Sequence, residues 1–277
     1  MPASSDSLPE PARRPYRPSA LIAGSVALHV AALGAVLVRP PLWPWALAAV
    51  VADHLTLTAA GLWPRARLLG PNLTRLPPGA AARREVAITI DDGPDPDVTP
   101  AVLALLDRHA ARASFFCIGE RIARFPQLAR EIAARGHDIE NHSQRHLHRF
   151  SLLGPRGMRA EIAAAQESIA FATGAVPRFF RAPAGLRNPF LEPVLARTGL
   201  TLVSWTRRGF DTVSRSPGQV LARLTRSLAA GDILLLHDGH AGRTAGGTPV
   251  ILEVLPPLLA TVRAAGLTPV TLRAACA

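Results

Sequence analysis

The sequence predicts an α/β protein with a parallel sheet or barrel, preceded by a pair of apolar helices. Three observations predict it. From residue 83 onward, short β-branched runs alternate with longer segments of helical periodicity. The chemically suggestive residues fall just after the strand candidates, where a barrel collects its active site. Residues 19–63 carry almost no charge.

Residues 19–38 contain no Asp, Glu, Lys or Arg and follow Arg13, Arg14 and Arg17. That length is enough to cross a bilayer. A second apolar stretch, 42–63, follows Arg39-Pro40-Pro41, with Trp43, Trp45 and Trp63 near its ends. Indole rings favour the headgroup zone, so the two stretches read as a transmembrane hairpin. A retained anchor is preferred over a cleaved signal peptide, because no small-x-small cleavage site follows the first stretch and a second apolar one does. Asp53 lies mid-way along the second stretch, where it either pairs with His29 or stays neutral.

The expected organisation is a cytoplasmic tail at 1–18, a membrane anchor at 19–63, a Gly- and Pro-containing linker at 64–82 and a catalytic domain at 83–277. Arg residues flank both outer ends of the hairpin, among them Arg65, Arg67, Arg75, Arg83 and Arg84. With two spans in an inner cell membrane, the positive-inside rule places the domain on the cytoplasmic face; with only the first span, the domain lies on the other side.

Strands are expected at 85–90, 113–118, 138–140, 178–181, 200–204, 232–236 and 267–271. Helices are expected at 100–109 behind the cap Thr99, and at 127–135, 156–173, 189–197, 217–228 and 250–265. With 277 residues, 48% of them hydrophobic, the chain can bury a sizeable core. The net charge is +11, and every basic residue is Arg. These Arg residues are scattered singly among Ala and Leu, without a basic helix or an aromatic-interleaved stripe, so no nucleic-acid partner is expected. Cys117 and Cys276 have no paired spacing that suggests a thiolate metal site or a disulfide framework.

Asp91 and Asp92 end the apolar run Val86-Ala87-Ile88-Thr89-Ile90 and precede Gly93-Pro94-Asp95. Such a pair supplies one metal ligand and one base, or simply terminates the strand in a turn. His142-Ser143-Gln144-Arg145-His146 puts two imidazoles four residues apart, which on one helical turn would share a face. Further along stand Arg181-Ala182-Pro183-Ala184-Gly185, then Trp205 with Asp211, then Leu235-Leu236-His237-Asp238-Gly239.

This ordered set resembles the polysaccharide deacetylase family, the NodB-homology domain of carbohydrate esterase family 4, over residues 85 to 272. The resemblance implies a distorted (β/α) barrel that uses a metal to remove N- or O-acyl groups from sugars. It implies Asp92, His142 and His146 as ligands of a divalent metal, Zn²⁺ first, with Co²⁺, Ni²⁺ or Mn²⁺ as alternatives. It further implies Asp91 as catalytic base, Arg181 as its orienting partner, His237 as catalytic acid and Asp211 as the group that orients His237. The Ala184 backbone N–H would face the developing oxyanion. Leu235 and Trp205 would wall the acyl group.

Two positions depart from the family pattern. Ala184 stands where an aromatic residue is usual and Thr212 where a Trp is common, so the groove expected for chitin or peptidoglycan is altered. The substrate implied is an acylated amino-sugar glycan or a lipid-linked sugar, with membrane lipid met through residues 19–63. The alternatives are a glycan- or lipid-binding module without catalysis, and a deformylase or O-acetyl esterase.

Overall fold

The computed structural model describes residues 13–277, so residues 1–12 of the expected tail lie outside the described residues. Ser19 caps the first helix, α1 (Ala20–Val38), by accepting from the Ile22 N–H. A 3₁₀ turn at Pro40–Leu42 reverses the chain into α2 (Trp43–Leu62), and the two helices pack as a hairpin. Both are long and apolar enough to cross a membrane, and few of their residues are buried.

The rest of the chain runs in order through α3 (Pro78–Ala82), β1 (Glu85–Asp91), α4 (Thr99–Arg108), β2 (Ser114–Cys117), α5 (Gly119–Arg124), α6 (Pro126–Ala134) and β3 (Asp138–Asn141). Next come α7 (Pro155–Thr173), β4 (Phe179–Phe180), α8 (Leu191–Thr198), β5 (Thr201–Leu202), β6 (Arg207–Arg208) and α9 (Pro217–Thr225). The chain closes with β7 (Ile233–His237), α10 (Val250–Ala264), β8 (Thr268–Val270) and α11 (Leu272–Ala275). The strands are parallel in the order β5-β4-β3-β2-β1-β7-β6, and β8 pairs with the first residues of β1. This is the distorted (β/α) barrel that the sequence predicts.

Alternation along the central strands sorts the core. Val86, Ile88, Ile90, Phe115, Leu234 and Leu236 face the surrounding helices. Ala87, Phe116, Val203, Trp205, Ile233 and Leu235 form a second cluster inside the curved sheet. The two outer strands do not pair with each other, and residues 73–76 lie across the opening. Leu73 bridges Val203, Thr206 Oγ1 donates to the Thr74 carbonyl, and the Leu76 N–H donates to Gly231. Leu69, Leu76 and Ala80 are buried, with Leu76 and Ala80 in the inner cluster. The segment 64–82, expected as a connector, therefore packs as part of the barrel.

Smaller differences have local causes. The short strand β6 and the helix α5 were not expected, because Arg207-Arg208 shows no alternation and Gly119–Arg124 is a turn and a half long. Thr99 is the first residue of α4 rather than its cap; its hydroxyl instead accepts from the Asp95 N–H and donates to Asp238. Asp53 accepts from Ser25 Oγ at 2.6 Å and stands 4.0 Å from His29, so its nearer partner is the hydroxyl. Both cysteines are free thiols.

Candidate active site

A cleft of about 670 Å³ opens at the C-terminal ends of the strands. Register builds its floor. Asp91 ends β1 directly opposite His237 at the end of β7, and Asn141 of β3 sits beside Phe180 of β4, which places His142 and Arg181 next to each other. Neighbouring residues in a strand point to opposite faces, yet Asp91 and Asp92 both line the cleft. The backbone at Asp92 makes this possible: it turns into the left-handed region, at φ 75°, one step beyond β1.

The two imidazoles of 142–146 do meet, with ring centroids 4.8 Å apart, but not on a helix. Positive φ at Ser143 and His146 excludes a helical turn. The loop is instead tied down from several sides. The Ser143 N–H bonds the Asn141 side chain, the His146 N–H bonds Ser143 Oγ, and Gly119 and Glu120 of α5 donate to the Ser143 and Gln144 carbonyls. Gly119 packs closely here: a Cβ would stand 2.0 Å from Gln144 Oε1 and 3.0 Å from the Ala165 Cα of α7. Arg145 is held by Glu161 of α7.

The residues so placed converge on one carboxylate oxygen. His142 Nε2 lies 3.2 Å and His146 Nε2 3.3 Å from Asp92 Oδ1, a buried atom with no hydrogen-bond donor. The His142 Nδ1–H donates to the Arg181 carbonyl at 2.8 Å, which leaves its Nε2 lone pair facing Asp92. Burial, then the neighbouring His142, pushes His146 down to about 4, so its imidazole is neutral at pH 7. An orphaned carboxylate oxygen beside two imidazole nitrogens fits a divalent transition metal.

Arg181 is fully buried, and its guanidinium is satisfied on every side. It donates to Asp91 at 2.5 Å, to Thr89 Oγ1 at 2.9 Å and to the Ser204 and Val203 carbonyls, and it stacks 4.0 Å over the Phe116 ring. Across the cleft, Asp211 grips His237 twice: Oδ2 accepts from its backbone N–H at 2.7 Å and Oδ1 from its Nδ1–H at 2.9 Å. Burial alone would lower the His237 pKa, but the Asp211 charge and hydrogen bond outweigh it and raise it above the ordinary value. Asp92 shows the converse balance. Burial opposes its charge, yet the surrounding imidazoles, His142 and His240 foremost, hold it well below the usual carboxylate range.

All ten residues named from the sequence are accounted for. Asp91, Asp92, His142, His146, Ala184, Trp205, Leu235 and His237 line the cleft, while Arg181 and Asp211 lie buried immediately behind it. Ala184 takes φ 55° in the Pro183–Gly185 turn, and Thr212 lines the cleft as well. The sequence reading missed His240, whose Nδ1 is 3.2 Å from Asp92 Oδ2, together with Arg121 beside it and Arg208, which lies over the Trp205 and Phe210 rings. The close run His237-Asp238-Gly239-His240 was the only signal for His240.

Known proteins resemble this chain in sequence and fold. The family model described as polysaccharide deacetylase matches residues 79–203. A chitooligosaccharide deacetylase of Bradyrhizobium sp. (strain ANU 289) is 35% identical over 158 residues, covering 57% of this chain and 72% of that protein. The chain belongs to the polysaccharide deacetylase family. A peptidoglycan-N-acetylglucosamine deacetylase of Bacillus cereus is 33% identical over 175 residues, covering 62% of this chain and 81% of its own. The family 4 carbohydrate esterase of Streptomyces lividans, solved in complex with acetate, superimposes with a TM-score of 0.60 at 33% identity, covering 67% of this chain and 91% of that one. As a family member the chain is a deacetylase-type hydrolase, acting on carbon–nitrogen bonds other than peptide bonds.

Proposed function

We propose that the protein is a membrane-anchored, metal-dependent de-N-acylase of a lipid-linked amino sugar. Asp92, His142 and His146 would hold the metal, Zn²⁺ or a chemically similar cation. When bound, the metal supplies Lewis-acid chemistry, lowering the pKa of a water and polarising the acyl carbonyl. Asp91 takes the proton of the attacking water, with its charge and orientation fixed by Arg181. His237 then gives a proton to the leaving amine from Nε2, because Asp211 occupies Nδ1 and favours the charged ring. Trp205 and Leu235 border the acyl group, and the Ala184 turn faces the carbonyl oxygen.

The observation that carries the membrane part is the contact between hairpin and cleft wall. Pro64, two residues beyond α2, lies so close to Gly185 that a Cβ on that glycine would stand 2.8 Å from the Pro64 Cβ. Ser204 Oγ donates to the Pro64 carbonyl, the Arg187 N–H donates to Gly61, and Arg14 pairs with Glu192 of α8. The base of the hairpin is thus fixed beside the Ala184 turn, and a sugar carried on a lipid would reach the cleft from the membrane surface. Both helix ends flanked by Arg lie at this base, so the positive-inside rule puts the domain on the cytoplasmic face of the cell membrane. The altered groove at Ala184 and Thr212 supports a short lipid-linked acceptor over a long polymer.

The test is acyl release by full-length protein in detergent from lipid-linked N-acylated amino sugars and from soluble N-acetylated oligosaccharides. Preference for the lipid-linked substrates is expected. Preference for long soluble chains would overturn the substrate assignment while leaving the reaction class intact.

A further inference from the structure

A second group of ligand-type side chains lies in the hairpin, distant in sequence from the cleft. His29 of α1 and Asp53 and His54 of α2 each bring one donor atom within 4.8 Å of the others. The His29 Nδ1–H donates to the Ser25 carbonyl one turn back at 2.8 Å, so Nε2 presents a lone pair. That nitrogen stands 3.1 Å from Nε2 of His54. Two imidazole nitrogens bound to one tetrahedral zinc at about 2.0–2.1 Å stand roughly 3.3 Å apart. The donors of the cleft show the same spacing, 3.2 and 3.3 Å.

The setting argues for an occupant. Asp53 is the only formally charged residue between Ala20 and Val38 or between Trp43 and Leu62. Its side chain is 8% exposed and is oriented by the Ser25 hydroxyl at 2.6 Å. An ionisable residue in an apolar span is costly and is kept where something pairs with it. A hydroxyl that orients the carboxylate and a carbonyl that fixes the imidazole tautomer are the supports that metal ligands receive from their surroundings.

We propose that His29, Asp53 and His54 bind a divalent transition cation, zinc or a nitrogen-preferring neighbour such as Ni²⁺ or Cu²⁺, which pins α1 to α2. The site uses no residue of the cleft.

The test is Co²⁺ titration of untagged, chelator-stripped full-length protein in detergent, followed by visible absorption and metal analysis. Two equivalents per chain are expected. His29→Ala and His54→Ala should each lose one equivalent, and His142→Ala should lose the other. His54→Gln retains hydrogen-bonding capacity toward His29 and should also lose one equivalent at unchanged helix content by circular dichroism. One equivalent that survives His142→Ala and disappears in His54→Gln would support the hairpin site even if the cleft binds nothing. A single equivalent abolished by His142→Ala, or two equivalents retained in the His29→Ala/His54→Ala double variant, would overturn it and leave the cluster as a hydrogen-bonded clamp between helices.

Discussion

Asp91 and His237 are neighbours across the β1–β7 register, and each has one buried partner that sets its behaviour. Asp211 raises the His237 pKa, so the charged ring persists above the ordinary value of 6.5 and is lost as pH rises through the raised value. The alkaline limb of the kcat profile therefore belongs above 6.5. In Asp211→Asn burial acts against only the weaker pull of Asp91 and Asp92, and that limb should move to lower pH; a pH–rate profile of the two proteins checks this. Arg181→Met removes the cation beside Asp91 and leaves its carboxylate buried with one donor fewer. Turnover should fall at least about 10²-fold with metal content unchanged, read by single-turnover acyl release. The places of Asp91, Arg181 and His237 were legible in the sequence because each stands at or just past a strand end within a recognisable motif. The partners of Arg181 were not, since Thr89, Val203 and Ser204 reach it only through the curvature of the sheet. His240 was missed for a related reason: its positive φ, not its spacing, brings it to Asp92.

At the scale of elements, two glycines decide whether the loops around the cleft hold their shape. Gly119 opens α5 against the 142–146 loop, and Gly119→Ala would drive its Cβ onto Gln144. The Gln144 side chain can swing aside but the Ala165 backbone of α7 can yield only by moving the helix, so the expected outcome is a loss of about 1–3 kcal/mol of stability, read by chemical denaturation. Gly185 has φ 75° and packs between Trp205 and Pro64, so Gly185→Ala combines backbone strain with a steric clash. It should cost about 1–3 kcal/mol of stability by chemical denaturation. Hydrophobic periodicity exposed the long helices and the central strands. It could not show that the His pair sits on a loop, because spacing by four reads as a helix until the positive φ at Ser143 and His146 is known. Nor could it show β6, whose two Arg residues owe their strand form to pairing with β7.

Across the whole molecule, hairpin, connector and barrel form a continuous path to the cleft. The connector looked like a linker in sequence because Gly and Pro punctuate it; the structure buries Leu69, Leu76 and Ala80 and uses Leu73 to extend the sheet. A chain starting at residue 83 therefore loses part of its core. At about 1.5–3 kcal/mol for each fully buried Leu, it should be at least 3 kcal/mol less stable than one starting at residue 64, which denaturant midpoints of the two fragments would reveal. Pro64, at the start of the same segment, ties the apolar hairpin to the Ala184 turn through Gly185, so the proposed substrate and the proposed location rest on one piece of structure. The central claim is that this cleft hydrolyses an acyl amide with Asp91 as the base. Its most direct test is acyl release by Zn²⁺-loaded full-length protein beside Asp91→Asn, with bound metal quantified in both. Release by the wild type, loss of release by at least about 10³-fold in the variant and equal metal in the two is the predicted result. Equal rates in the two proteins would contradict the account.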